Sequence, residues 1–457
     1  MIKNFLYIFV CGLLLSGCHL YTNYERPESI QSVDSLYRGV AITQDSTNFA
    51  HTPWREVFVD TVLQKHIDRV LKQNPEMLKA QLNIETAEQV LRIAKFAYIP
   101  SLTFTPQGSS ASFDWNKCSN TYTLPLTASW NLGSMGSLRN SLKNGKITVQ
   151  QTHVAREAIQ TSLVSAVANM YFTLGMLDEQ LKTTQATLKI WTRNVEVMEA
   201  MKTAGMVNEV AVSQAKANLL ELKASVPELT KSIRVVENAM CILMGEAPHA
   251  IERAPFNASG IAYTLKTGVP VQLLSNRADI KLQELNLASK FYGVNIARSS
   301  FYPSLNLSAT LGFTNSAGSV VINPGKFIFN AVASVVQPIF ANGKLRANLK
   351  MSQNEYESAL IDFSQSLVVA GQEVSDALES YIAACEQLEL REQEVELLEK
   401  TVEKVNTLFK HSNSTTYLET LTAQQSLLSA QMSLINDNYN KVQAAISLYQ
   451  ALGGGWQ

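Results

Sequence analysis

Between Leu138 and Thr203 the chain has no proline and only two glycines, Gly145 and Gly175, and apolar residues recur among Gln, Glu, Lys and Thr. The pattern predicts one helix of roughly 65 residues, about 100 Å long at 1.5 Å per residue. It breaks at Ala204-Gly205, and Asn208 is placed to cap a second helix running to about Met244. Pro227 falls inside that second helix, where its ring is expected to kink it. The arrangement returns near the C-terminus. No proline follows Pro338. A helix is predicted from about Leu345 to Lys410, the run HSNSTTY breaks it, and Thr416-x-x-Glu419 has the form of a capping box. A last helix to about Leu452 stops at Gly453-Gly454-Gly455.

Elsewhere the period falls to two. Tyr122, Leu124, Leu126, Ala128 and Trp130 alternate with Thr123, Pro125, Thr127 and Ser129. Leu305, Leu307, Ala309, Leu311 and Phe313 alternate with small and polar residues, and Phe327, Phe329, Ala331, Ala333 and Val335 make a third such run. The face opposite that third run is less polar, because Ile328 and Val332 lie on it. A short strand, Leu102 to Thr105, meets Pro106. One apolar face and one small polar face is the pattern of a barrel strand with lipid outside and water inside. A soluble hairpin or sheet edge has the same alternation.

The chain also repeats itself. AGMVNEVAVSQAKANLLELKAS around Gly205 answers SNSTTYLETLTAQQSLLSAQMS around Asn413. The shift that sets Glu209 on Tyr417 also sets Ala215 on Ala423 and Met244-Gly245 on Leu452-Gly453. Two long copies predict two halves of one architecture. The boundaries expected are 1–17 as a signal peptide, 18–60 as an N-terminal segment and 61–245 as the first copy. That copy holds a β-hairpin at about 99–130 and a helix hairpin at about 138–245. A linker, 246–275, precedes the second copy, 276–457, with a β-hairpin at about 304–337, a helix hairpin at about 345–452 and a tail. Each copy thus supplies one β-hairpin, four strands per chain. Four strands cannot enclose a pore, and lipid does not tolerate open sheet edges. Three chains would supply twelve, enough for an open lumen.

Lys3 and the apolar stretch from Phe5 to Leu15 have the form of a secretory signal. The stretch ends in Leu15-Ser16-Gly17-Cys18, which resembles a bacterial lipobox in which Cys18 is lipidated. An ordinary signal peptide with a chance cysteine is the alternative. The formal net charge of −1 gives no global basic field, so no nucleic-acid partner is expected. No later apolar run approaches the length of a membrane helix. Among the remaining cysteines, Cys118, Cys241 and Cys385 show no metal-ligand or disulfide spacing, and Cys241 and Cys385 are expected to pack as small apolar residues.

Together these residues resemble the TolC-type outer-membrane efflux family, in its NodT-like, OprM- and CusC-like lipoprotein branch. The resemblance rests on Cys18 followed by Tyr24-Glu25-Arg26-Pro27, and on Asn74-Pro75, Arg277-Ala278-Asp279-Ile280 and Phe301-Tyr302-Pro303-Ser304-Leu305. Pro338-Ile339-Phe340 and Leu452-Gly453-Gly454-Gly455-Trp456 complete it. The family has Pro where Ala278 stands, a departure expected to be tolerated in a turn. The resemblance implies an α+β membrane protein: a trimeric 12-stranded β-barrel continued by a long periplasmic α-helical barrel, with a mixed equatorial domain. It implies an outer-membrane, lipid-anchored exit duct that passively conducts small toxic compounds. The partners implied are two further copies of the chain, outer-membrane lipid, a periplasmic adaptor (membrane fusion) protein and an inner-membrane pump of the RND type. A protein-secretion duct driven by an ABC transporter and a poreless periplasmic coiled-coil scaffold are the alternatives.

The same resemblance assigns adaptor docking to two helix tips. The first is Gly205, Met206, Val207, Asn208 and Glu209, continuing to Val210. The second is Asn413, Ser414, Thr415, Thr416 and Tyr417, continuing to Leu418. Asn413 stands for the usual Gly, and asparagine tolerates the left-handed conformation. Glu419 matches an acidic position at the periplasmic aperture, although it also suits a helix cap alone. Thr422 stands where some members carry a second acid. No GxSxG, HExxH, GxxxxGK[ST] or GxGxxG occurs, and the histidines are scattered singly. No catalytic residue, metal ligand or cofactor is expected. The carboxylates Glu389, Glu392, Glu394, Glu396 and Glu399 read as a solvated face or lumen wall.

Overall fold

The computed structural model describes residues 21–27, 52–112, 118–134, 136–257, 261, 276–317, 320–411 and 416–456. The signal segment, Cys18, and Asn413, Ser414 and Thr415 lie outside the described residues. In order come α1 (Trp54–Val57), α2 (Thr61–Gln73), α3 (Pro75–Phe96), β1 (Ser101–Phe104), β2 (Gln107–Ala111), β3 (Ser119–Ser134), α4 (Ser137–Thr203) and α5 (Glu209–Met244). There follow α6 (Ala278–Ser299), β4 (Ser304–Ala317), β5 (Val320–Val336), α7 (Lys344–His411) and α8 (Tyr417–Ala451). The chain divides into two compact units, each drawing on both sequence copies. Unit one is 1–32, 82–154 and 282–365, and unit two is the remainder. Among the described residues no helix is long and apolar enough to cross a membrane.

Unit one holds one antiparallel sheet in the order β1-β3-β4-β5, with β2 also paired to β3. The expected single first strand is two segments. Ser101 pairs with Ser129 and Gln107 with Thr123, so β1 and β2 share one register against β3. Thr105 and Pro106 interrupt them opposite Pro125 and Leu124. The cause is a shortage of donors: Pro106 and Pro125, on adjacent rungs of the two strands, remove N–H groups that the ladder needs. Thr105 N still donates to the Pro125 carbonyl at 3.3 Å. The β3 strand runs to Ser134, past the expected end of the hairpin near 130.

Register sorts the sheet into rows. Phe104, Leu126, Leu311 and Phe329 stand side by side, as do Thr127, Thr310 and Asn330. One face is therefore aliphatic and aromatic. The other carries hydroxyl pairs, Thr127 with Thr310 at 3.1 Å and Thr123 with Thr314 at 3.2 Å. Residues 21–27 are strapped to this unit. Arg26 grips Glu284 with two bonds of 2.8 and 2.5 Å, and the Tyr24 ring meets Phe291 edge-on at 5.9 Å.

Unit two has the main core. Trp54, Phe58, Leu63 and Ile67 pack on Val164, Val167 and Phe172 of α4, Met240 and Met244 of α5, and Ile446 and Tyr449 of α8. Each fully buried side chain of this kind contributes about 1.5–3 kcal/mol. Helix α5 runs unbroken through Pro227. Pro227 and Lys223, whose carbonyl loses its donor, are both exposed, so water replaces the lost bond. Ala278 is not in a turn. It is the first residue of α6, the one helical position where Pro and other residues exchange at little cost.

Candidate functional site: the two helix tips

The first tip is closed at both ends by local chemistry. Gly205 has φ +73, and Gly205 N donates to Lys202 O while Met206 N donates to Met201 O, each at 2.9 Å. This pair of bonds ends a helix with a left-handed residue. A Cβ on Gly205 would meet nothing within 4 Å, so the demand for glycine there is torsional and not steric. Asn208 then starts α5, its Oδ1 accepting from Ala211 N at 3.0 Å. Glu209, in the first turn, pairs with Lys202 across the turn, and one turn further up Lys216 pairs with Glu199 at 2.6 Å. The bond from Lys202, then its charge, hold the Glu209 carboxyl below its usual range. Met206 and Val210 stand 69% and 74% exposed, an unusual solvation for such side chains.

At the second tip the described chain resumes at Thr416. Thr416 Oγ1 accepts from Glu419 N at 3.4 Å, and Glu419 Oε2 accepts from Thr416 N at 2.9 Å. The capping box is complete, so Glu419 has a local role whatever else it does. Leu418 is 66% exposed. Tyr417 turns inward, its ring 6.1 Å from Phe409 and packed on the cluster of Trp191, Val195, Ala215, Leu219 and Leu222. Burial pushes its hydroxyl above the ordinary tyrosine range. Glu209 and Tyr417 align in the repeat, yet one is a solvated ion and the other an anchor between hairpins.

Several linking residues carry no motif. Helix α4 meets α8 through three uncharged pairs: Thr173 with Tyr439 at 2.9 Å, Gln180 with Asn436 at 2.9 Å, and Asn194 with Gln424 at 2.8 Å. Gln424 also donates to Asn406 of α7 at 3.4 Å. Arg253 holds Asp178 of α4 at 2.5 and 2.9 Å and Glu237 of α5 at 2.6 Å. The bond to Asp178 raises its pKa above the ordinary arginine value, and desolvation opposes this less strongly than its partners favour it. Arg277 binds Asp279 and Glu373, each at 2.6 Å, and the Ala451 carbonyl at 3.0 Å. His66 contacts the Glu252 carbonyl at 2.8 Å, and Cys241 is fully buried, whereas Cys385 is only half-buried. Among the described residues no three His, Cys, Asp or Glu side chains gather as a metal site would require.

Long paired hairpins, a two-faced sheet and a twofold internal repeat define an outer-membrane channel class. The chain belongs to the outer membrane efflux protein family, whose profile matches residues 66–246 and 269–454. It is 26% identical to the cation efflux system protein CusC of Escherichia coli over 452 residues, 98% of each chain. It is 27% identical to the solvent efflux pump outer membrane protein SrpC of Pseudomonas putida, over 97% of each chain. It is 26% identical to the probable outer membrane lipoprotein SilC of Salmonella typhimurium, again over 97% of each. The crystal structure of CusC superposes with a TM-score of 0.84 at 25% identity, covering 96% of this chain and all of that one. The OprN outer-membrane channel does so at 0.85 and 22% identity, over 96% and 100%.

Proposed function

We propose that this outer-membrane efflux protein is the passive exit duct of a tripartite assembly for small toxic compounds, drugs or metal ions. Three copies contribute their strands to one 12-stranded barrel, and their long hairpins form an α-helical barrel in the periplasm. The tips around Gly205–Val210 and 413–418 receive a periplasmic adaptor, which couples the duct to an inner-membrane pump of the RND type. Cys18 carries the lipid anchor, and Glu419 lines the aperture. No reaction is catalysed.

The observation that carries this reading is a sheet with one apolar face, one hydroxyl-lined face and two open edges, β1/β2 and β5. In lipid such edges call for another chain. A second support is α7, where exposed Val368, Ile382, Leu390 and Leu397 lie opposite buried Ala384, Leu388 and Val395. A helix apolar on two faces suits packing between copies. The names of CusC and SrpC support cation and solvent cargo about equally, and that of SilC supports the lipid anchor.

A deletion strain tests the reading. Survival across drugs, solvents, detergents and metal ions is scored beside a profile of secreted proteins. Sensitivity with an unchanged secretome is expected. A lost secreted protein with unchanged sensitivity would move the duct to protein export.

A further inference from the structure

The four places where the chain meets the sheet lie at one end of it. Ser101 sits opposite Ser129, near the end of β3, Ser134 pairs with Ser304, and Ser304 pairs with Val336. The helical stretch next to each junction is cationic. Arg92 and Lys95 close α3, and Arg139, Lys143 and Lys146 open α4. Lys290 and Arg298 close α6, and Lys344, Arg346 and Lys350 open α7. Residues 89–96, 137–154, 285–299 and 344–354 contain no Asp or Glu at all. This contrasts with a chain whose basic and acidic residues balance to a net −1.

Local structure does not ask for these charges. Helices α4 and α7 begin here, and a helix N-terminus favours anions, yet neither has an acid in its first turn. Lys290 finds Glu355 at 3.0 Å, and Lys143 donates to Asn23 Oδ1 at 2.5 Å. Arg139, Lys146, Arg298, Lys344, Arg346 and Lys350 are all exposed. None of these six is ion-paired among the described residues. The Lys143 amine is held below its ordinary value, first by burial and then by Arg139 and Lys146. A sequence that breaks a local rule this consistently has an external reason.

Position indicates what that reason is. Between the strand ends and the cations lie Phe96 and Tyr98 before β1, Phe301 and Tyr302 before β4, and Ile339 and Phe340 after β5. The last two are 97% and 83% exposed. Aromatic residues at strand ends mark the membrane–water interface. Arg139 lies five positions beyond Ser134 and Lys344 eight beyond Val336. Both stand in the first turn of their helices, so they lie just past the strand ends and the apolar zone, on the side where lipid headgroups begin.

We propose that these cations form a collar that binds the phosphates of anionic phospholipids in the leaflet adjoining this end of the strands. The collar rests on the membrane-spanning reading of the sheet. Each exposed Lys or Arg near an anionic leaflet improves binding about fivefold, so a cluster discriminates strongly between lipids.

The test uses purified full-length protein in mixed micelles holding equal phosphatidylglycerol and phosphatidylcholine. Free lipid is removed and the retained lipid weighed by mass spectrometry. Phosphatidylglycerol is expected to exceed phosphatidylcholine about tenfold at low salt and to lose that lead at 1 M salt, where screening is nearly complete. The variant Arg139→Gln, Lys146→Gln, Lys344→Gln, Arg346→Gln and Lys350→Gln is expected to retain both equally. Lys189→Gln, Lys223→Gln and Lys231→Gln together are expected to change nothing. Equal retention by the native protein overturns the collar, as does displacement of lipid by the same concentration of inorganic phosphate. If the five-site variant does not fold, lipid preference and salt dependence of the native protein decide alone. Flotation with neutral phosphatidylcholine vesicles separates the two readings. Insertion without lipid preference removes the collar and leaves the duct, whereas no insertion removes both.

Discussion

Arg277 and Ala451 stand 174 positions apart, and one hydrogen bond of 3.0 Å from Nη1 to the carbonyl joins them. Arg277 thereby ties the start of α6 to the end of α8. Gly453, with φ +85, passes so close that a Cβ there would lie 3.1 Å from Arg277 Cα. The guanidinium is 9% exposed and holds Asp279 and Glu373 as well. Arg277→Gln is therefore expected to cost about 1–3 kcal/mol, because the buried Ala451 carbonyl loses its donor while Asp279 and Glu373, 56% and 50% exposed, stay solvated. Arg277→Lys should recover only part, lacking the fork that serves three acceptors. Thermal unfolding of purified protein measures both.

Glu419 has two candidate roles, and they separate by substitution. Glu419→Gln keeps an acceptor at the third helical position and removes the charge, whereas Glu419→Ala removes both. The alanine variant should lose about 1 kcal/mol of tip stability, like Thr416→Ala, and the glutamine variant little. A change of cation selectivity in planar-bilayer conductance for Glu419→Gln assigns the aperture role. Unchanged selectivity leaves Glu419 as a cap only.

Gly205 needs its torsion but not its smallness. Gly205→Ala is expected to cost about 1–2 kcal/mol through the left-handed conformation, and Gly205→Asn less. Limited proteolysis at the tip ranks the two. Equal cutting would show that the turn can adopt another conformation.

The tip ion pairs respond to pH at the extremes alone. The Glu209 carboxyl lies below its usual range, so its contribution is complete above that range and is lost as pH falls through the depressed value. The bond that Lys216 donates to Glu199, then the charge of Glu199, hold Lys216 above its ordinary value. Its contribution is complete below the ordinary lysine pKa and is lost as pH rises through the raised one. The protection of residues 199–210 against hydrogen exchange, relative to the helix interiors, should be flat from about pH 6 to 9 and fall modestly under acid, as suits an exposed pair. Glu209→Gln should abolish that acid response.

The two sheet faces predict opposite phenotypes. Phe329→Arg on the apolar face is expected to cost about 2–4 kcal/mol of membrane insertion, seen as lost outer-membrane protein after fractionation. Thr127→Arg on the hydroxyl face should leave insertion intact and lower single-channel conductance. The reverse result would exchange inside and outside.

The long helices were legible because a run without proline leaves the backbone few alternatives, and Asn208 and Thr416 mark their starts. The sheet faces followed from period two alone. The split of the first strand was harder to see. Pro106 is visible in the sequence, but Pro125 matters only once register places it opposite Thr105. Glu209 and Tyr417 show another limit, since a repeat aligns positions and says nothing of what packs around them. Arg253 was missed because its partners, Asp178 and Glu237, are 75 and 16 positions away and belong to no motif.

The three rungs between α4 and α8 join hydroxyls and amides, and none of the six side chains carries charge near neutral pH. Neither acid nor salt loosens such bonds appreciably, since none of these groups takes up a proton in mild acid and screening acts on charges. A seam of ion pairs would weaken with salt and with acid. This seam is indifferent to ionic strength and to acid, and holds the two hairpins in one register under conditions that would loosen charged contacts.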